Sequence, residues 1–249
     1  MKWVELLNLP NRCIVQRKIP LKKLYEQCTL IQKRLIEKYV SSITLVALIN
    51  EENSRIREYV DEKENYQAIF ILEIVPKVIP VSNDLYLLIH SLFPYPTIIG
   101  YESDDKIQLT CSIKRINLVN SDKTTVEKIH ISPEIRKSKQ FEMFTRQLDY
   151  REIRVSNIKE YYTLYSKLIQ LSQVIPKFNL YPSLTVSTDK VLNLLDQVRL
   201  LDADLANLES QYKQESNLSR RMDIHIKIQS KNKSLELIKK ELMEDLCQS

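Results

Sequence analysis

Pro182 is the last proline of the chain and Gly100 its single glycine, so residues 183–249 carry neither of the residues that most readily break a helix. Along that stretch Val191, Leu194, Val198, Leu201, Leu205, Leu208 and Tyr212 alternate three and four apart, the a/d seam of a coiled coil. A second seam, Ile224, Ile228, Leu235, Ile238 and Leu242, accepts Lys231 at one core position and is out of phase with the first. Two geometries satisfy the phase break at 213–221: an antiparallel hairpin turning at Ser216 and Asn217, or one long helix with a stutter. The lack of Gly and Pro favours the continuous helix. In either form the apolar ridges need a cover, which is the other ridge in a hairpin and another chain in a rod.

A lone glycine also removes whole classes of chemistry. The P-loop, the G-x-G-x-x-G dinucleotide turn and the G-x-S-x-G nucleophile elbow each need several glycines, and one cannot build them. Cys13, Cys28, Cys111 and Cys247 are scattered without a C-x-x-C pair and read as reduced thiols. The stretch Met1–Pro10 mixes Lys2, Glu5 and Asn8 with its apolar residues, unlike a signal peptide. No run approaches the roughly 18 apolar residues that span a bilayer, so no membrane contact is expected and the cytoplasm is the expected location. The net charge of +5 is compatible with a polyanion partner without requiring one.

Ahead of the tail the pattern alternates strands and helices. Pro10 and Pro20 bracket a basic arm whose Ile14 and Val15 suit a short edge strand. Leu24, Cys28, Ile31, Leu35 and Tyr39 then predict one amphipathic helix, followed by a strand over Ile43–Ile49. Residues 50–65 are polar and read as a surface connection. Ala68–Val75 is a nearly continuous apolar run, as expected of a strand covered on both faces, with Glu73 the exception. Ser82 caps a helix over 83–92, and Pro94 and Pro96 stop it. Thr97–Tyr101 and Ile107–Arg115 form a hairpin turning through Ser103, Asp104, Asp105 and Lys106. A strand over 127–132 and helices over 139–148 and 158–175 complete the reading, with Phe141, Phe144, Tyr161 and Tyr165 assigned to core. The expected fold is α+β: a mixed α/β domain over residues 1–182 and a helical, coiled-coil-like tail or hairpin over 183–249.

Chemistry is harder to find. A metal nuclease of the PD-(D/E)xK kind gathers acids on neighbouring strands to hold Mg²⁺, with a lysine that helps activate water. Glu73, Asp105 and Lys114 are the candidates, but Ser112 stands where the second acid belongs. His90, His130 and His225 lack metal-ligand spacing, so no metal site or cofactor is expected. A Cys111–His130 nucleophile pair has no visible orienting partner. Arg12, Arg17, Lys18, Lys114 and Arg115 are the candidate nucleic-acid contacts. The basic groups of the tail, from Arg220 to Lys240, read as a solvated helix face.

Leu9–Tyr25, LPNRCIVQRKIPLKKLY, and Leu92–Asn117, LFPYPTIIGYESDDKIQLTCSIKRIN, resemble the bacterial family catalogued as domain of unknown function 4391. Ile19, Pro20 and Tyr25 match its I-P-x-x-x-x-Y/F helix start, and Phe93, Pro94, Tyr95 and Lys114 match a later proline, strand and lysine pattern. Ile113 stands where the family commonly has an aromatic residue, and Phe93 where it has isoleucine. The resemblance extends into the tail and covers most of residues 9–245. It carries over no catalytic residue. It implies company with helicases and DNA methyltransferases of restriction and antiphage systems. The expected function is therefore a non-enzymatic accessory or adaptor subunit of a bacterial DNA-targeting complex whose α/β domain docks such a partner protein or DNA. The alternatives are a divergent magnesium-dependent nuclease and a structural homo-oligomer held by the tail.

Overall fold

The computed structural model describes residues 2–78, 81–103, 105–117 and 124–247, which form two compact units, Met1–Tyr181 and Pro182–Ser249. The first unit begins with a 3-10 turn, Trp3–Leu7. Edge strand β1 (Ile14–Ile19) follows, then helices α1 (Leu21–Tyr25) and α2 (Leu30–Tyr39) and strand β2 (Val40–Asn50). Short elements α3 (Glu51–Ser54), β3 (Tyr59–Val60) and β4 (Asn65–Tyr66) lead into β5 (Ala68–Pro76). Helix α4 (Asn83–Ser91) crosses over to β6 (Thr97–Glu102), which is followed by β7 (Lys106–Ile116), β8 (Thr124–Ile131) and β9 (Ile135–Arg136). Helices α5 (Lys139–Arg146), α6 (Ile158–Leu171) and α7 (Ile175–Phe178) close the unit.

The main sheet runs β1-β2-β5-β6-β7-β8, with β9 also on β7. β5 and β6 are parallel, joined through α4, and the other pairings are antiparallel. The apolar run on β5 is explained by this central place. Leu72 and Ile74 enter a core with Leu85 and Ile89 of α4 and Ile36 of α2, while Ile69 and Ile71 are also fully buried. Helix α6 covers the other face, where Tyr162 Oη donates to the carbonyls of Thr97 and Ser112 and accepts from the Ser112 amide. On β1 the register slips between Ile14 and Arg17, and Gln16 has a positive φ of 49°.

Sequence and structure part in a few places. The helix expected after Pro20 is broken in two. Thr29 Oγ1 accepts from the Gln32 amide and Gln32 Oε1 accepts from the Thr29 amide, a capping box that starts α2 afresh. Ile31, expected on the buried stripe, is consequently 79% exposed, and Leu30 78%. The last core helix ends at Leu171 and continues as a 3-10 turn and α7 rather than running through Ile175. The polar stretch 50–65 contains α3 and the β3–β4 pair, and β9 was not foreseen. Of the expected hairpin turn, Asp104 lies outside the described residues.

In the second unit, α8 (Thr188–Gln214) and α9 (Leu218–Cys247) pack against each other as a hairpin, so the continuous helix favoured by the sequence is not what forms. The turn needs no glycine. Glu215 is extended (φ −75°, ψ 123°), its carboxylate accepts from the Asn217 amide, and Asn217 Oδ1 accepts from the Arg220 amide to cap α9. Lys190 bonds Asp245 at 2.8 Å, Lys231 pairs with Asp204, and the Tyr212 and His225 rings lie 5.9 Å apart, an antiparallel ladder from base to tip. Val191, Leu194, Val198, Leu205, Leu235 and Leu242 are buried, and Leu201, Leu208, Ile224, Ile228 and Ile238 are half-buried. The seam lysine is thus accommodated by a partner acid on the facing helix.

Gly100 is demanded by a close approach and not by a turn. A β-carbon there would stand 2.4 Å from Trp3 Nε1 and 2.9 Å from Cε2. Gly100→Ala should destabilise the fold by about 1–3 kcal/mol, the usual cost of overpacking. The loss should be smaller in a Trp3→Leu background, a coupling that urea denaturation of the double-mutant cycle will measure.

Candidate functional site

The strand register fixes where each candidate residue stands, and it disperses the nuclease constellation. Asp105 is exposed at the β6–β7 turn, with Arg136 3.9 Å away. Lys114 lies nine residues along β7, roughly 30 Å distant at the rise of an extended strand. Glu73 sits on β5 with its carboxylate bonded at 2.8 Å by Lys2. The three do not converge.

Lys114 is 3% exposed, which takes it out of the set of nucleic-acid contacts. Its Nζ donates to the carbonyls of Phe93 at 2.6 Å and Tyr95 at 2.7 Å, in the loop where prolines stop α4. Alternation along β7 puts Gln108, Thr110, Ser112 and Lys114 on one face. Tyr86 of α4 donates to Gln108, and His90 Nε2 lies 2.9 Å from Thr110 Oγ1. This is a polar layer inside the helix–sheet interface. Burial drives the Lys114 ammonium down to about 7, and burial together with Lys114 pushes His90 well below the usual imidazole range, keeping it neutral.

Cys111 and His130 do face each other across β7 and β8. The thiol is fully buried, and desolvation raises it to about 12, so it stays protonated where a nucleophile needs the thiolate.

The basic residues divide. Arg12, Arg17 and Lys18 are exposed on or beside edge strand β1. Arg115 is four strand spacings away on β7, roughly 19 Å, where it bonds Glu127 at 2.8 Å. One edge therefore carries a cationic strip and Arg115 is no part of it.

The feature that the sequence did not reveal is a groove of about 750 Å³ between α2, α4 and the start of β8. Ile31 and Leu35 of α2, Leu87 and Leu88 of α4, and Val126 of β8 line it, with Arg34 and Lys38 on the α2 wall. Both of these cations are exposed, and Leu87 is 50% exposed. The break at Thr29 was the available signal, because a restarted helix turns Leu30 and Ile31 away from the core.

A seven-stranded mixed sheet flanked by helices, with an open apolar groove, and a helical hairpin define an α+β protein. The chain belongs to the family described as a domain of unknown function, DUF4391, whose model matches residues 7–235. No curated protein and no solved structure matches it. Among the described residues, no helix is long and apolar enough to cross a membrane.

The Lys114 layer makes a pH prediction. In the folded chain its pKa lies near 7, below the unfolded value of 10.5, so between those pH values the unfolded chain binds the extra proton and stability rises with pH. Urea midpoints should climb from pH 7 towards pH 8, below the range where the raised thiol of Cys111 begins to oppose the gain, and Lys114→Met should flatten that climb. An identical slope in both proteins would remove Lys114 as its source.

Proposed function

We propose that the protein is an accessory subunit of a bacterial DNA-targeting assembly of the antiphage or restriction type, and that the α2–α4 groove receives an acidic amphipathic helix of a partner protein. The observation that carries this reading is the groove itself. Its floor is aliphatic, its α2 wall offers Arg34 and Lys38 against a single acid, Asp84, on the α4 wall, and Ile31 and Leu87 are exposed. Covering apolar surface contributes about 25 cal/mol per Å², and the two cations select a helix rimmed with Asp or Glu. Membership in the family supports the setting, with a helicase or DNA methyltransferase as the partner class.

A labelled, leucine-striped helical peptide with glutamate rims should bind the full chain in fluorescence anisotropy. Its lysine-rimmed counterpart should bind at least tenfold more weakly. Arg34→Glu with Lys38→Glu should reverse the preference. Equal affinity for the two peptides would sink this assignment.

The strip on β1 favours a DNA contact as well. Arg17 and Lys18 are exposed on β1, and Arg12 in the turn before it, at a sheet edge with no further strand among the described residues. Duplex binding should weaken with salt, and neutralising all three should lower the log–log slope by about 2–3. If no duplex binds at low salt, only the protein-docking role stands.

A further inference from the structure

The two seams of the hairpin face each other, so neither is offered to another chain. Helix α9 nevertheless keeps a second apolar stripe. Leu218, Met222, Ile226 and Leu237 are 76%, 55%, 58% and 62% exposed. At 3.6 residues per turn, Met222 and Ile226 each stand roughly 160° round the helix from the seam residue Ile224, and Leu237 stands roughly 20° from Ile226. The stripe therefore runs along the side of α9 turned away from α8.

Helix α8 has no counterpart. Its outer side carries Asp189, Asn193, Asp196, Asn207 and Gln211, all exposed, and Leu200 is its one exposed large apolar residue. A helix with a single apolar side needs one neighbour, whereas a helix apolar on opposite sides lies between two. α9 is of the second kind, and α8 fills one of its two sides. Around the tip, along residues 206–229, no side chain is fully buried, so two helices alone do not close that end of the seam.

Charge identifies the second neighbour. Residues 218–233 carry Arg220, Arg221, Lys227, Lys231 and Lys233 against one acid, Asp223, whereas residues 234–247 carry Glu236, Glu241, Glu244 and Asp245 against Lys239 and Lys240. Ion pairs within the hairpin reduce this asymmetry without removing it, since Asp204 engages only Lys231, and the single cation Lys190 is shared by Glu241 and Asp245. An antiparallel copy of α9 sets each basic half beside an acidic half. A parallel copy sets like on like. Antiparallel pairing is two-fold symmetric, so the same patch serves both chains and the assembly closes at two.

We propose that the outer face of α9 is a dimer interface, in which Leu218, Met222, Ile226 and Leu237 pack against the antiparallel α9 of a second copy of this chain. Burial of the stripe supplies the affinity, and the charge halves fix the orientation. The interface is distinct from the α2–α4 groove and does not rest on the adaptor reading.

Sedimentation velocity of the full chain supplies the test. Wild type should sediment as a dimer. Met222→Glu with Ile226→Glu should weaken it at least tenfold, while Leu200→Glu, on the outer side of α8, should leave it unchanged. Lys227→Glu with Lys233→Glu, and separately Glu236→Lys with Glu244→Lys, should each weaken self-association. All four exchanges in one chain should restore it, a recovery that misfolding does not produce. Circular dichroism and thermal melts check each variant, and Ile226→Ser replaces the double glutamate change if that variant does not fold. A monomeric wild type overturns the proposal and leaves the face to a different protein. A dimer that survives the folded Ile226 variants, or no recovery in the fourfold exchange, overturns it equally.

Discussion

The parallel pairing of β5 with β6 is the constraint from which the rest of the first unit follows. Parallel neighbours need a crossover, and α4 is that crossover. Because α4 must lie across the sheet, the face of β7 beneath it becomes interior, and the polar residues there must find partners inside the protein. Three of the four do, Gln108 with Tyr86, Thr110 with His90, and Lys114 with the carbonyls freed where Pro94 and Pro96 end the crossover, while the Ser112 hydroxyl has no hydrogen-bond partner among the described residues. The same helix forms one wall of the groove.

Most of this architecture could be read from the chain, because hydrophobic periodicity and prolines report local structure directly. Ser82 capping α4, the apolar run of β5 and the β6–β7 hairpin all follow from residues close in sequence. The seam positions of the tail were legible for the same reason. The direction of its turn was not, because Glu215 and Asn217 make their stop with side-chain hydrogen bonds that resemble any polar stretch. The broken helix at Thr29 shows the reverse error: apolar spacing carried the reading across a capping box that was present in the letters.

Site chemistry was less legible, since it depends on which strands become neighbours. Lys114 reads as an exposed cation until β7 is placed under α4, and then it is a structural donor to two carbonyls. Glu73 was singled out for standing inside an apolar run, but its true companion, Lys2, lies 71 residues earlier in the chain. Arg115 neighbours Lys114 in the chain, yet it faces Glu127 on the adjoining strand. Charges separated by dozens of residues meet only through sheet order, which no local spacing encodes.

The slipped register and positive φ at Gln16 give β1 a role beyond its cations. A flat, apolar sheet border invites another chain to extend it, and repetition of that event builds fibrils. Here the kink twists the border away from a straight template, while Arg17 and Lys18 repel an identical strand brought alongside. The outermost strand is thereby protected against runaway stacking.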